Sequence, residues 1–320
     1  MQESNRLVSL GEIRKAASII APHIHRTPLT SSAHLGELVG VSLYLKLEMF
    51  QKTGSFKPRG VLNKMASLSE DEKRRGVVSL SAGNHAQALA YAATMANVPS
   101  VIVMPTGAVK AKVEATRGYG GEVILTDSDL LETALEIQRE RELTLVHPFD
   151  DLNTIAGTGT LGLELLEDLP QVDVVLCGIG GGGLISGVAA LLKLVNPEIK
   201  VIGVEPEGAP GMSLALQKGE PVHMTAMNTI ADGLAAPFVG LHNLNHVRAF
   251  VDEVVTVQDE EIIEAMRLLL ERVKVVVEPA GAASYAALLA DKASPVSGTN
   301  VLCVLSGGNV DSGRLSELLG

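Results

Sequence analysis

The chain has no tryptophan, and phenylalanine and tyrosine leave its aromatic content at 3% of 320 residues. A surface that stacks nucleic-acid bases needs such rings, so that class of function is disfavoured. Cationic excess is missing too. Lys and Arg number 26 against 37 Asp and Glu, a formal charge of −11, whereas a phosphate-backbone binder needs a basic face. There are two cysteines, Cys177 and Cys303, both inside apolar strand-like runs, and they read as buried free thiols without a disulfide. No apolar run approaches the ~20 residues of a membrane span. The first 25 residues, broken by Arg6, Glu12, Arg14 and Lys15, contain no secretory core. Low-complexity segments and tandem repeats are also missing. Together these absences describe a reduced, cytoplasmic protein with no nucleic-acid or membrane partner.

What the chain has is aliphatic. Hydrophobic residues make up 46%, enough for a substantial core of Leu, Val, Ile and Ala, and the length allows two ordinary domains or one large unit. Short β-rich runs at 43–46, 77–81, 100–104, 122–126 and 144–147 alternate with helical spacing at 84–96, 108–119 and 128–141. The second half repeats the scheme with runs at 172–177 and 200–205 around a helix at 184–195. Later come a strand at 254–257, a helix opened by Asp259 and Glu260, a helix around 280–290 and a strand at 300–305. Alternation of this kind predicts an α/β fold of βαβ units, with helices on both faces of parallel sheet. Residues 206–248 are different. They are rich in Gly, Pro, Asn and His, their apolar spacing is weak, and they read as an irregular insertion over a sheet edge beside the site entrance. His23, His25, His223, His242 and His246 lack metal-ligand spacing and read as solvent-facing loop residues.

Ligands in such sheets bind beyond the carboxyl ends of the strands, and Gly- and Ser-rich turns stand there. Ser81-Ala-Gly-Asn-His85, Gly178-Ile-Gly-Gly-Gly-Gly183 and Ser306-Gly-Gly-Asn309 each follow an apolar run. Lys57 lies where the Gly54-Ser55 turn hands over to a helical pattern, with Pro58 suited to a first helical position. Gly178-x-Gly180-x-x-Gly183, with Glu205 some twenty residues on, matches the dinucleotide fingerprint, so a nicotinamide oxidoreductase is one reading. The underlying physics is broader. Glycines admit an anion to the backbone, and amides at a helix entrance bind it, so a single phosphate fits as well. One phosphate beside one reactive amine suggests pyridoxal 5′-phosphate, with Ser81, Asn84 and His85 suited to a substrate carboxylate and Ser306 to a neutral hydrogen bond on the ring nitrogen.

Assembled in order, six motifs give the sequence its resemblance: Gln51-x-Thr-Gly-Ser-Phe-Lys-x-Arg-Gly60, Ser81-Ala-Gly-Asn-His-Ala-Gln87, Gly180-Gly-Gly-Gly-Leu184, Ala231-Asp-Gly233, Glu278-Pro-Ala-Gly281 and Ser306-Gly-Gly-Asn309. The chain resembles the fold-type II pyridoxal-phosphate enzymes, and within them the threonine/serine dehydratase and serine racemase family. The resemblance implies two domains, each an open, mostly parallel sheet flanked by helices, with the cofactor in the crevice between them. The large domain is expected at 1–75 plus 148–320 and a small mobile substrate-binding domain at 76–147. Lys57 is implied as the Schiff-base lysine, with Phe56 packed beside the ring and Asn84 at its phenolic oxygen. Gly180, Gly181, Gly182, Gly183 and Leu184 would hold the phosphate, Gly233 and Glu278 would lie near the ring, and Ser306 would face its nitrogen. Ser81, Ala82, Gly83, Asn84 and His85 would meet the substrate. Glu278 has a second reading, a core-edge carboxylate satisfied by backbone amides, and Arg59 reads as a structural ion-pair partner with no chemistry of its own.

The departures from the family pattern narrow the activity. Racemases of this family carry a serine where this chain has Ala82, and alanine cannot deliver a proton from the face opposite the lysine. The implied reaction is therefore dehydration of a β-hydroxy amino acid such as L-threonine or L-serine to a 2-oxo acid and ammonia, with racemisation disfavoured and 3-hydroxyaspartate still open as a substrate. Family members that bind a cation use a Glu-Pro segment and an acidic residue six positions on. Here Glu205 is present but the later position is Gly211, so Glu205 is the only candidate ligand. The resemblance also implies a homo-oligomer, and with the sequence ending at Gly320 no appended regulatory domain is expected.

Overall fold

The computed structural model describes residues 6–293 and 298–320; residues 1–5 of the segment read as free of a secretory core lie outside it. Its strands are β1 (Leu29–Ser31), β2 (Ser42–Leu47), β3 (Val77–Leu80), β4 (Ser100–Pro105), β5 (Glu122–Thr126), β6 (Thr144–Leu145), β7 (Val174–Gly178), β8 (Lys200–Pro206), β9 (Glu253–Val257) and β10 (Asn300–Leu305). They form two sheets. One has the order β1-β2-β10-β7-β8-β9, parallel except for β1 at its edge; the other has the order β5-β4-β3-β6 and is parallel throughout.

Parallel sheet is buried on both faces, and the period of two along each strand divides its side chains between two cores. In β7, Val174 and Leu176 join a cluster with Ala282, Ala283 and Ala286 of the helix Pro279–Leu289. Val175 and Cys177 face the other way, onto Leu184, Val188 and Leu192 of the helix Gly183–Val195. In β10, Cys303 belongs to the first cluster. The two thiols therefore project from opposite faces of one sheet, and both are buried and free. Burial pushes the Cys177 thiol up to about 12.

The helix Lys57–Ala66 sits between the two sheets' territories. Its Val61, Leu62 and Met65 pack with Ala86, Leu89 and Ala90 of the helix Asn84–Met95 and with Ile102 of β4. Its first turn presses against the helix Leu152–Asp168, where a side chain in place of Gly157 would run into the Arg59 carbonyl. Packing on both sides fixes this helix before any ligand is considered.

The region 206–248 corrects the sequence reading. It contains two helices, Gly211–Lys218 and Leu241–Phe250, with a 3₁₀ turn at Asp232–Leu234 between them. His246 is buried in the second, where its Nε2 accepts a hydrogen bond from the Val8 amide at 2.9 Å, and His242 is half-buried. Of the five histidines read as solvent-facing, His23, His25 and His223 are exposed.

Candidate active site

Strand ends define the crevice. β2, β10 and β7 are neighbours in the first sheet and end at Leu47, Leu305 and Gly178; β3 and β6 end opposite them at Leu80 and Leu145. Lys57 opens its helix after a 3₁₀ turn at Lys52–Gly54, and the preceding loop is tied to the end of β10 by Phe56 N donating to the Ser306 carbonyl at 3.0 Å. The Lys57 amine donates to the Pro148 carbonyl at 3.2 Å and lies 5.1 Å from the centre of the Phe56 ring. Burial lowers its pKa to about 8, against the pull of the Glu278 charge. This is a lysine with a large neutral fraction near physiological pH.

The glycine loop follows β7 directly. Gly182 adopts φ +93°, and the helix begins at Gly183 with its first amides unpartnered within the helix. The glycines also serve packing. A Cβ at Gly181 would stand 2.5 Å from the Phe149 ring, and one at Gly180 would stand 3.1 Å from the Leu234 backbone. Leu234 closes the 3₁₀ turn Asp232–Leu234 that carries Gly233, so this turn roofs the loop. Phe149 in turn belongs to an aromatic group with His147, Phe238 and His223, centroids 4.8 to 5.6 Å apart. His147 accepts from the amides of Phe149 and Asp150 through Nδ1, and burial holds its pKa below the usual histidine range.

Residues 81–85 form the turn between β3 and the helix Asn84–Met95. A side chain added at Gly83 would meet open space, so this turn borders the crevice. His85 is buried beneath it, its Nε2 3.0 Å from Ser79 Oγ, and its Nδ1 has no partner. Burial, reinforced by the Lys57 and His147 charges, keeps it well below the usual range and therefore neutral. Asn84 donates from Nδ2 to Glu278 Oε1 at 2.6 Å. Glu278 is thus held by a side-chain amide from the other sheet, which replaces the backbone-amide reading, and burial raises its pKa to about 7. Ser306 is buried at the end of β10.

Glu205 is buried near the end of β8. Its carboxylate accepts from Met212 N at 2.6 Å, Ser213 N at 2.9 Å and Ser213 Oγ at 2.6 Å, and so caps the helix Gly211–Lys218. Gly211 contributes no oxygen from a side chain, and among the described residues no cluster of three His, Cys, Asp or Glu could hold a metal. The sequence reading also missed the surroundings of Arg59. Its guanidinium is buried and donates to both oxygens of Glu48, both of Glu164 and Thr160 Oγ1, using all five N–H groups. Lys46, also buried, donates to Glu164 at 2.7 Å. The signal for these partners was faint because positions 46, 48 and 164 are distant in sequence and no local pattern pairs them with Arg59.

The residues fit pyridoxal phosphate as the resemblance implied. Loop and helix amides at 180–184 suit one phosphate, and the Lys57 amine suits the aldehyde. Comparison with known proteins agrees. Residues 20–307 match the family described as pyridoxal-phosphate dependent enzyme. The L-threonine ammonia-lyase of Thermotoga maritima is 46% identical over 98% of this chain and 78% of its own length. Serine racemase of Oryza sativa subsp. indica is 43% identical over 96% of this chain and 92% of its own. Among solved structures, maize serine racemase superposes with a TM-score of 0.93 at 40% identity, covering 98% of this chain and 97% of that one. The serine racemase of Dictyostelium discoideum gives 0.89 at 40% identity, covering 95% and 99%. With a family match across most of its length and relatives of this closeness, the chain belongs to the pyridoxal-phosphate-dependent enzymes.

Proposed function

We propose that the protein is a dehydratase that converts a β-hydroxy amino acid, L-threonine or L-serine, to a 2-oxo acid and ammonia. The observation that carries this reading is a crevice with a buried amine at Lys57, its pKa lowered to about 8, and the inert Ala82 in the turn that borders it. Relatives named L-threonine ammonia-lyase at 46% and 45% identity support it. Pyridoxal phosphate, when bound, supplies an aldehyde for the amino group and a ring that takes up the electron pair left by Cα. The amides of 180–184 would hold its phosphate, Asn84 and Ser306 would contact the ring, and Phe56 would pack beside it. Lys57, once free, takes the α-proton as general base. The turn 81–85 binds the carboxylate with the amides that open the helix Asn84–Met95. The β-hydroxyl leaves as water with a proton equivalent to the one Lys57 has taken, and hydrolysis of the released enamine gives the 2-oxo acid and ammonium. Residues 76–147 move as one unit to close the crevice and exclude water.

Racemisation is the second reading, supported by relatives named serine racemase at 43% identity. Ala82 weighs against it because proton delivery from the second face needs an acid there. A homo-oligomer in the cytoplasm completes the proposal; light scattering of the pure protein tests the first half. Incubation with L-threonine, L-serine and L-threo-3-hydroxyaspartate, with assay of 2-oxo acid and of product enantiomers, tests the reaction. Formation of 2-oxobutyrate or pyruvate with unracemised residual substrate supports it, and D-amino acid without 2-oxo acid contradicts it.

A further inference from the structure

Residues 306–309 run alongside the loop that leads into Lys57. Phe56 N donates to the Ser306 carbonyl, Gly308 N donates to the Gly54 carbonyl at 3.0 Å, and Ser55 and Gly307 form an antiparallel bridge. Asn309, at the end of this segment, reaches beyond it. Its Nδ2 donates to the Thr53 carbonyl and to Asn84 Oδ1, each at 2.7 Å. Thr53 has φ 60° and ψ 13°, a left-handed conformation that a β-branched residue adopts only when its surroundings impose it. Gly54, at φ +74°, lies so close that any side chain there would strike the Asn309 amide. The turn is shaped around Asn309.

The polarity of this chain of bonds has one solution. A backbone carbonyl can only accept, so Asn309 must present its NH₂ to Thr53. The same NH₂ then meets Asn84, which must offer its oxygen. That leaves the Asn84 NH₂ facing Glu278 Oε1, where it is found at 2.6 Å. A strained turn four residues before Lys57 thus dictates the orientation of the residue that opens the helix Asn84–Met95 on the opposite sheet.

We propose that Asn309 is a positioning residue for the substrate. It keeps the turn 81–85 in register with the Lys57 amine, so that the carboxylate and the α-proton are presented together. This inference rests on the proposed function, which assigns that turn to the carboxylate. The test uses the holoenzyme, with Asn309→Ala and the isosteric Asn309→Asp, which preserves shape and removes the donors. KM for L-threonine is expected to rise about tenfold or more in both variants while kcat falls less than about threefold, the pattern of a weakened hold on the substrate carboxylate. Borohydride trapping of the cofactor on Lys57 stays close to that of the parent protein. An unchanged KM in the Asp variant, or loss of trapping in proportion to activity, overturns the inference. Inactivity of the parent protein on every β-hydroxy amino acid overturns the proposed function, and this inference falls with it; an active parent with unaltered variants overturns this inference alone.

Discussion

Lys57 has to be reactive and yet held, and its surroundings meet both needs. The crevice strips water from the amine and brings its pKa to about 8, while the Pro148 carbonyl fixes its direction without donating a counter-charge. The neutral amine is the nucleophile towards an aldehyde, so capture of pyridoxal phosphate by the empty protein accelerates as pH rises through about 8. Glu278 pulls that pKa upward, so Glu278→Gln shifts the midpoint to lower pH, measurable from the rate at which the aldehyde absorbance changes. The carboxylate has its own signature. Burial raises Glu278 to about 7, so the folded chain keeps a proton that the unfolded chain releases near 4.5. Stability of the empty protein therefore falls as pH rises between those values, and Glu278→Gln removes that part of the fall. Ala82→Ser restores an acid where this chain has none; detectable D-enantiomer from L-serine is the predicted outcome, read by chiral chromatography.

At the level of elements, the glycine loop serves two masters, an anion and the Phe149 ring. Gly181→Ala places a methyl 2.5 Å from that ring, which is buried and has Phe238 and His147 behind it. Overpacking of this kind costs about 1–3 kcal/mol, and a fall in cofactor affinity of at least about tenfold, by equilibrium titration, follows from the displaced loop. The loop, its strand and its helix were legible in the sequence because all their signals are local: an apolar run, four glycines, then helical spacing. The parallel strands were legible for the same reason, with β5 and β10 matching the reading at both ends. The helix Leu241–Phe250 was not. Its cap is Asp150, whose carboxylate accepts from Leu241, His242 and Asn243 N–H groups 91 to 93 residues away. The helix Gly211–Lys218 is likewise capped from Glu205 on β8, so no N-cap signal precedes it in sequence. The four residues Glu278, Asn84, Asn309 and Thr53 were visible within motifs, but their mutual bonds depend on which strand ends meet.

For the whole molecule, the buried charges beneath Lys57 matter most. Arg59 lies two residues after Lys57 and ties the helix Lys57–Ala66 to Glu48 and to Glu164 of the helix Leu152–Asp168, while Lys46 balances Glu164. Burial disfavours the guanidinium charge, but Glu48 and Glu164 more than offset it and raise its pKa. Removing one partner of such a group leaves uncompensated buried charge, so Arg59→Met is predicted to destabilise by about 3–5 kcal/mol in denaturant unfolding. This helix packs between the helices Leu152–Asp168 and Asn84–Met95, and its position sets that of the amine at its start. Reduction of the cofactor-loaded protein with borohydride, followed by mapping of the modified peptide, reports which amine holds the cofactor. A single pyridoxyl group on Lys57, absent from Lys57→Ala together with turnover of L-threonine, is the predicted result; a label on another lysine, or an active Lys57→Ala protein, would contradict it.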